Sequence, residues 1–377
     1  MDRSTTVGEM LAHQAARAVL DRHLPGLLAT PGIATMASAR LGQLVMMVPA
    51  MREDPVLAQA MFAELADLGE AHGPGYLTAV EPDPGYESDD VARGSAALTS
   101  PTGVTRWGMA EIRLDGPSHG NPFTDVELTA TVRHDGRELE VGGVYDGDGR
   151  YLLRVLADDE GEWTFTTTAT ARSLDGVTGS FAVGPAAPGR HGPVRVDGFH
   201  FRHADGARYR PLGTTCYAWN HQPEDLQERT LATLATAPFR KLRMCVFPKS
   251  YDFNREDPQR YLFLQREDGT FDLERFDPRF FAMLDRRIEQ LAELGIEADL
   301  ILFHPYDRWG FADMGPAVDE RVARYVVRRL AGYANVWWSL ANEHDLMWAK
   351  TTEDWERIAA VVQTNDPHGL GASTGKR

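Results

Sequence analysis

The sequence predicts a multidomain chain: a short helical N-terminal region, an antiparallel β-sandwich of the immunoglobulin-like kind, and a series of βα units that build a parallel sheet. Three observations predict it. Apolar residues recur at helical spacing up to about residue 70, the period drops to two from Arg106 onward, and strand-like and helix-like runs alternate from Pro211. The corresponding boundaries are 1–104 for the helices and a linker, 105–186 for the sandwich, and 193–377 for the βα region.

In the first zone Leu41, Leu44, Val45 and Val48 fall on one helical stripe, and Leu57, Met61, Leu65 and Leu68 on another, with Pro25, Pro31 and Pro49 as punctuation. Helices this short are not stable alone, so they must pack on something. Residues 71–104, rich in Gly, Pro, Ser and acidic side chains, read as a linker or surface excursion. In the second zone Val126, Leu128, Ala130 and Val132 alternate with polar neighbours, and His134-Asp135-Gly136 and Asp146-Gly147-Asp148-Gly149 mark turns. The Pro/Gly stretch at 184–189 closes it.

A hairpin-like stretch, Val194–Tyr209, precedes the third zone. There the strand candidates are Pro211–Trp219, Lys241–Pro248, Ala298–His304 and Val336–Ala341, and the helix candidates are about 226–236, 279–294, 318–334 and 352–364. Strands alternating with helices imply a parallel sheet.

The chain has 377 residues, enough for two or three cores, with 43% hydrophobic and 25% charged residues in the globular range. Its 55 acidic against 39 basic residues leave a formal charge of −16. That balance excludes nucleic acid as a partner, because phosphates would be repelled, and tolerates a neutral ligand such as a sugar. Cys216 and Cys245 lie in core strands and read as buried free thiols. No cationic segment followed by an apolar one opens the chain, and no apolar run approaches the ~20 residues of a membrane helix. The expectation is a cytoplasmic protein with no membrane partner.

In parallel βα architectures the functional groups gather where strand C-termini meet the following loops. The four strand ends read Tyr217-Ala218-Trp219-Asn220-His221, then Arg243 to Lys249, then His304-Pro305-Tyr306-Asp307, then Asn342-Glu343-His344-Asp345. Aromatic rings mixed with carboxylate, amide, imidazole and guanidinium groups suit a carbohydrate.

Trp338-Ser339-Leu340-Ala341-Asn342-Glu343 resembles the Asn-Glu signature of the clan-A retaining glycoside hydrolases, which are TIM-type (β/α)8 barrels. With a sandwich before it, the chain resembles bacterial glycoside hydrolases that carry the domains of unknown function 5060 (sandwich) and 5605 (barrel), over roughly residues 106–368. The resemblance implies the first four βα units of such a barrel, a carbohydrate substrate or glycan fragment as partner, and no cofactor or metal. It implies Glu343 as general acid/base, with a pKa raised by burial or by a neighbouring carboxylate. Asn342 would bond the sugar 2-hydroxyl, and Arg243 would keep a nucleophile ionised. Tyr217, Trp219, His221, Lys249, His304, Tyr306 and His344 would line the sugar site.

Plainer accounts stand beside these. Glu343 as a helix N-terminal carboxylate, Arg243 in a structural ion pair, Trp337 and Trp338 as core, and Lys249 as a solvated charge are ordinary roles. His221, His304, His344 and Asp307 match no zinc spacing.

A retaining glycosidase needs two carboxyl groups about 5–5.5 Å apart, and in clan A the second follows the seventh strand. The tail that follows about His368 is Gly-rich and weakly hydrophobic and reads as neither strand nor helix. The expectation is therefore a glycoside hydrolase truncated within its barrel and inactive alone, open along Val336–Leu340 to self-association or to a chain that supplies the rest. The alternative is a non-catalytic carbohydrate-binding or accessory protein.

Overall fold

The computed structural model describes residues 1–29, 36, 39–68, 76–251, 253–347 and 350–370. Residues 371–377 of the expected tail and the start of the expected linker, 71–75, lie outside the described residues.

The N-terminal stripes form helices: Val7–Ala12, Gln14–His23, Leu41–Met47, Pro49–Glu53 and Pro55–Asp67. Thr6 caps the first with a reciprocal Glu9 capping box. Short helices need a shared core, and Val7, Met10, Leu20, Leu41, Val45, Met61 and Leu65 bury one another to make it. Arg40 and Tyr76 both engage Asp313, tying this end of the chain to the loop after the third parallel strand. The expected linker is held along the β-region, where Glu87 accepts from Ser173 at 2.7 Å and Arg172 reaches Asp89 at 3.0 Å.

The β-region consists of two sheets over one core. One contains Ala97–Thr99, Met109–Asp115, Arg150–Leu156 and Val144–Tyr145 in that order; the other contains Val104–Thr105, Thr178–Gly184, Gly161–Ala169, Leu128–His134 and Arg137–Gly142. Alternation places Ile112, Leu114, Leu153 and Val155 of one sheet against Ala130, Val132, Trp163, Phe165 and Phe181 of the other. The Asp135-Gly136 turn has φ values of +44° and +75°, the left-handed pair a tight hairpin demands.

The βα region contains four parallel strands in sequential order: Gly213–Thr215, Lys241–Cys245, Glu297–Phe303 and Val336–Ala341. Four helices follow them, Glu224–Thr236, Pro278–Glu293, Pro316–Leu330 and Thr352–Asn365. Leu242, Met244, Leu300, Leu302 and Trp338 point to the helix side and pack with Leu284, Ile288, Val322, Val326, Ile358 and Val362. Among the described residues the fourth strand pairs on one edge only.

Two features depart from the expected elements. The first strand is short, because the chain turns after Cys216 and Trp219–His221 forms a 3-10 turn that drives the Trp219 indole into the helix-side core. Between the second strand and second helix an antiparallel hairpin, Phe263–Gln265 with Phe271–Phe276, carries an aromatic cluster with Phe247 and Phe311. Trp337 and Trp338 are both core, on opposite faces: Trp338 donates to Asp366 at 3.1 Å, and Trp337 donates to Glu297 at 2.9 Å and meets Phe201 and Tyr209.

A buried ionic lattice joins the two regions. Arg154 of the β-region forms a two-pronged pair with Asp285 of the second helix, both contacts at 2.9 Å, and Arg329 of the third helix bonds Asp285 at 2.9 Å and Asp146 at 2.7 Å. The paired guanidinium forks match the carboxylate edge.

Candidate active site

The four parallel strands deliver their following loops to one end of the sheet, and the side chains there interlock. Asn342 continues the ladder of the fourth strand, its N–H donating to the Phe303 carbonyl at 3.0 Å. Its buried amide oxygen accepts from the Tyr217 hydroxyl at 3.0 Å, while its Nδ2 is buried with no partner among the described residues.

Glu343 follows with φ +53° and ψ +53°, a left-handed conformation that costs a non-glycine residue about 1–3 kcal/mol. The kink turns its carboxylate away from the strand, where it is exposed and accepts a bond from the Tyr306 hydroxyl. That bond, more than burial, pushes the Tyr306 pKa up to about 12. Burial, one of the two causes expected to act on Glu343, is not what the fold provides, because the residue lies at the surface.

Lys249 links the two halves. Its ammonium lies 3.9 Å from the ring centres of both Tyr217 and Tyr306, and 5.4 Å from that of Tyr251. Ring faces attract the cation where water is scarce, and burial holds its pKa below the ordinary lysine value. Lys249 is a buried positive charge beside Glu343, not a solvated one.

Arg243 occupies the sheet face opposite the helices. It donates to Ser339 Oγ at 3.2 Å, and its Nε lies 3.9 Å from Asp299, whose same oxygen takes Lys241 at 2.9 Å. Its carboxylate partner within the described residues is thus Asp299, in register beside it on the third strand. An aspartate within the apolar run Glu297–Phe303 was the sequence signal for this pair.

The other expected residues divide by position. His304 ends the third strand, buried, with Nε2 3.2 Å from the Phe247 carbonyl; burial lowers its pKa to about 4. His221 is equally buried, stacks on Phe280 at 5.7 Å, and is also lowered to about 4 by burial. Trp219 donates to Met244 Sδ at 3.4 Å inside the helix-side core. The structure therefore does not bring His221 and Trp219 to the Asn342–Glu343 cluster. His344 is exposed beside Trp355, at 6.1 Å. No group of His, Cys, Asp or Glu among the described residues has the arrangement of a metal site, and Asp307 spends its oxygens on the N–H groups of Trp309 and Ala312. Tyr251 was not foreseen. No helix among the described residues is long and apolar enough to cross a membrane.

Comparison with known proteins agrees with this geometry at the level of class. Residues 103–170 match a domain of unknown function, 5060. No curated protein matches the chain. A solved protein from Bacteroides vulgatus, provisionally described as a glycoside hydrolase, is 44% identical with a TM-score of 0.68, over 71% of this chain and 55% of its own. The chain thus spans about half the length of that solved relative. A family 5 glycoside hydrolase from the same organism aligns at 15% identity and a TM-score of 0.37, over 48% of this chain and 38% of its own, too slight to argue from. Residues 196–373, which carry the whole cluster around Glu343, match the apiosidase-like catalytic domain family.

Proposed function

We propose that the βα region is the acid/base half of a glycoside hydrolase barrel, which binds a sugar across Tyr217, Asn342 and Tyr306 and presents Glu343 to the glycosidic oxygen. The observation that carries this is the continuous set Asn342–Tyr217–Lys249–Tyr306–Glu343 at the strand C-termini. Tyrosine rings offer faces to sugar C–H groups, Asn342 holds the Tyr217 hydroxyl in place beside them, and Glu343 can give its proton to a leaving oxygen. The name of the matching family makes apiosides the first glycosides to try.

The cluster contains one carboxylate, whereas a retaining mechanism uses two. The second carboxyl group, by this reading, comes from outside the cluster, and the chain by itself binds sugar without turning it over. The non-catalytic reading, a carbohydrate-binding protein, rests on the same single carboxylate.

A small external anion separates the two. Azide attacking the anomeric carbon can stand in for the second carboxylate: the C–N bond forms, the C–O bond breaks, and Glu343 protonates the departing oxygen. With a methyl apioside, whose alkoxide must be protonated as it leaves, we expect no hydrolysis without azide and formation of the glycosyl azide with it. Glu343→Gln should abolish that reaction. Azide-dependent turnover that survives Glu343→Gln would sink the acid/base role, and hydrolysis without azide would sink the half-site reading.

A further inference from the structure

The two loops that carry Tyr306 and Glu343 end in one buried charge cluster. Asp313 closes the first loop, in the 3-10 turn Phe311–Asp313, and Lys350 closes the second, just before Thr351 caps the fourth helix. Asp319 lies in the first turn of the third helix. Asp313, Asp319 and Lys350 are all buried. Lys350 pairs with Asp319, and Arg40 of the N-terminal region pairs with Asp313.

The two pairs act on each other. Burial raises the Asp319 pKa to about 6, Lys350 opposes that rise, and the charge of Asp313 adds to it. Two buried carboxylates need two cations, and among the described residues those paired with them are Arg40 and Lys350. The Tyr76 hydroxyl also donates to Asp313. The Tyr76 ring lies over Gly315, at φ +83°, where a Cβ would come within 2.5 Å of it.

The route from this cluster to the candidate site is short. Asp313 follows Ala312, whose N–H donates to Asp307 at 2.6 Å, and Asp307 follows Tyr306, whose hydroxyl donates to Glu343. On the other loop the Glu343 carbonyl accepts from Leu346 N–H, and the Met347 carbonyl from Lys350 N–H, both at 3.0 Å. Arg40 and Gln43 face Pro305 and Asp307 of one loop, and Leu346 and Met347 of the other, across a cavity of about 310 Å³. The N-terminal region thus meets both loops at once.

We propose that Arg40 and Asp313 are positioning residues for the candidate site: the N-terminal region neutralises this cluster and so fixes the spacing of the loops that hold Tyr306 against Glu343. Without Arg40, the Lys350 ammonium faces two buried carboxylates alone and is drawn from one loop's anchor toward the other's. The consequence for sugar binding rests on the function proposed above; the consequence for Tyr306 does not.

Fluorine NMR of the full chain labelled with 3-fluorotyrosine reads the Tyr306 contact without any sugar. Tyr306→Phe identifies its resonance among those of the 11 tyrosines, and Glu343→Ala marks where that resonance goes when the contact is lost. Arg40→Met should move it at least half of the way to that mark while the Tyr151 resonance of the β-region stays in place. Arg40→Lys, which keeps the charge, should leave it near the parent position. Asp313→Asn is the second variant should Arg40→Met fail to fold. A folded variant whose Tyr306 resonance stays at the parent position overturns the proposal. Isothermal titration with a phenyl apioside keeps the two readings apart. Binding weakened tenfold or more in the shifted variant supports both, whereas a shifted resonance in a chain whose parent binds no apioside supports the positioning and removes the sugar.

Discussion

The two faces of the four-stranded sheet share a backbone and differ in every other respect. On the helix side Leu242, Met244, Leu300, Leu302 and Trp338 close on apolar helix residues. On the other side Arg243, Asp299, Ser339 and Lys241 close on one another through charges and hydrogen bonds. Strand alternation makes this division possible, since neighbouring residues face opposite ways. The lesson is that stability and chemistry are written into the same strands one residue apart, so substitutions one position apart should separate them.

The largest loss is expected where the helix side meets the β-region. Asp285→Ala leaves Arg154 and Arg329 buried without their shared carboxylate and should cost about 3–5 kcal/mol in urea unfolding. Leu300→Ala, on the helix side, should cost about 3 kcal/mol by the same measurement. Arg243→Met, one register position from Leu300's partner Met244, should cost only about 1 kcal/mol, because Lys241 remains on Asp299. Equal losses for Leu300→Ala and Arg243→Met would erase the distinction between the faces.

Acid should expose the same division. His221 and His304 have folded pKa values lowered to about 4 from 6.5 by burial. Above pH 6.5 neither state holds the extra proton, and between 6.5 and about 4 only the unfolded chain does. Stability therefore falls as pH falls through that window, by up to about 2 kcal/mol per histidine at pH 5. Thermal unfolding of His304→Gln should show a smaller drop between pH 7 and pH 5 than the parent. The smallest effect is expected for Tyr306→Phe, within about 0.5 kcal/mol, since its hydroxyl meets an exposed carboxylate.

Much of this arrangement was legible in the sequence. The fourth strand, Val336–Ala341, and the four helices declare themselves through period and apolar runs, and Asn342-Glu343 follows that strand as expected. The first strand was overdrawn because Ala218 and Trp219 extend an apolar run that turns a corner; burial there serves the core beneath the site. Histidines at strand ends look alike in sequence, and only packing distinguishes buried His221 and His304 from exposed His344. The Arg243–Asp299 pair depends on register between strands 56 positions apart; an aspartate in an apolar run hints at a buried partner without saying which. Lys249 gains its character from two tyrosines on other loops, so the sequence leaves open whether its charge is solvated or part of the site.

The most direct test of the sugar site is a binding titration of aryl apiosides against the chain, Tyr306→Ala and Asn342→Ala. Saturable binding that weakens tenfold or more in both variants, with their unfolding midpoints little changed, is the result this structure predicts. Sugar binding that both variants retain unchanged would contradict a site built around Asn342 and Glu343.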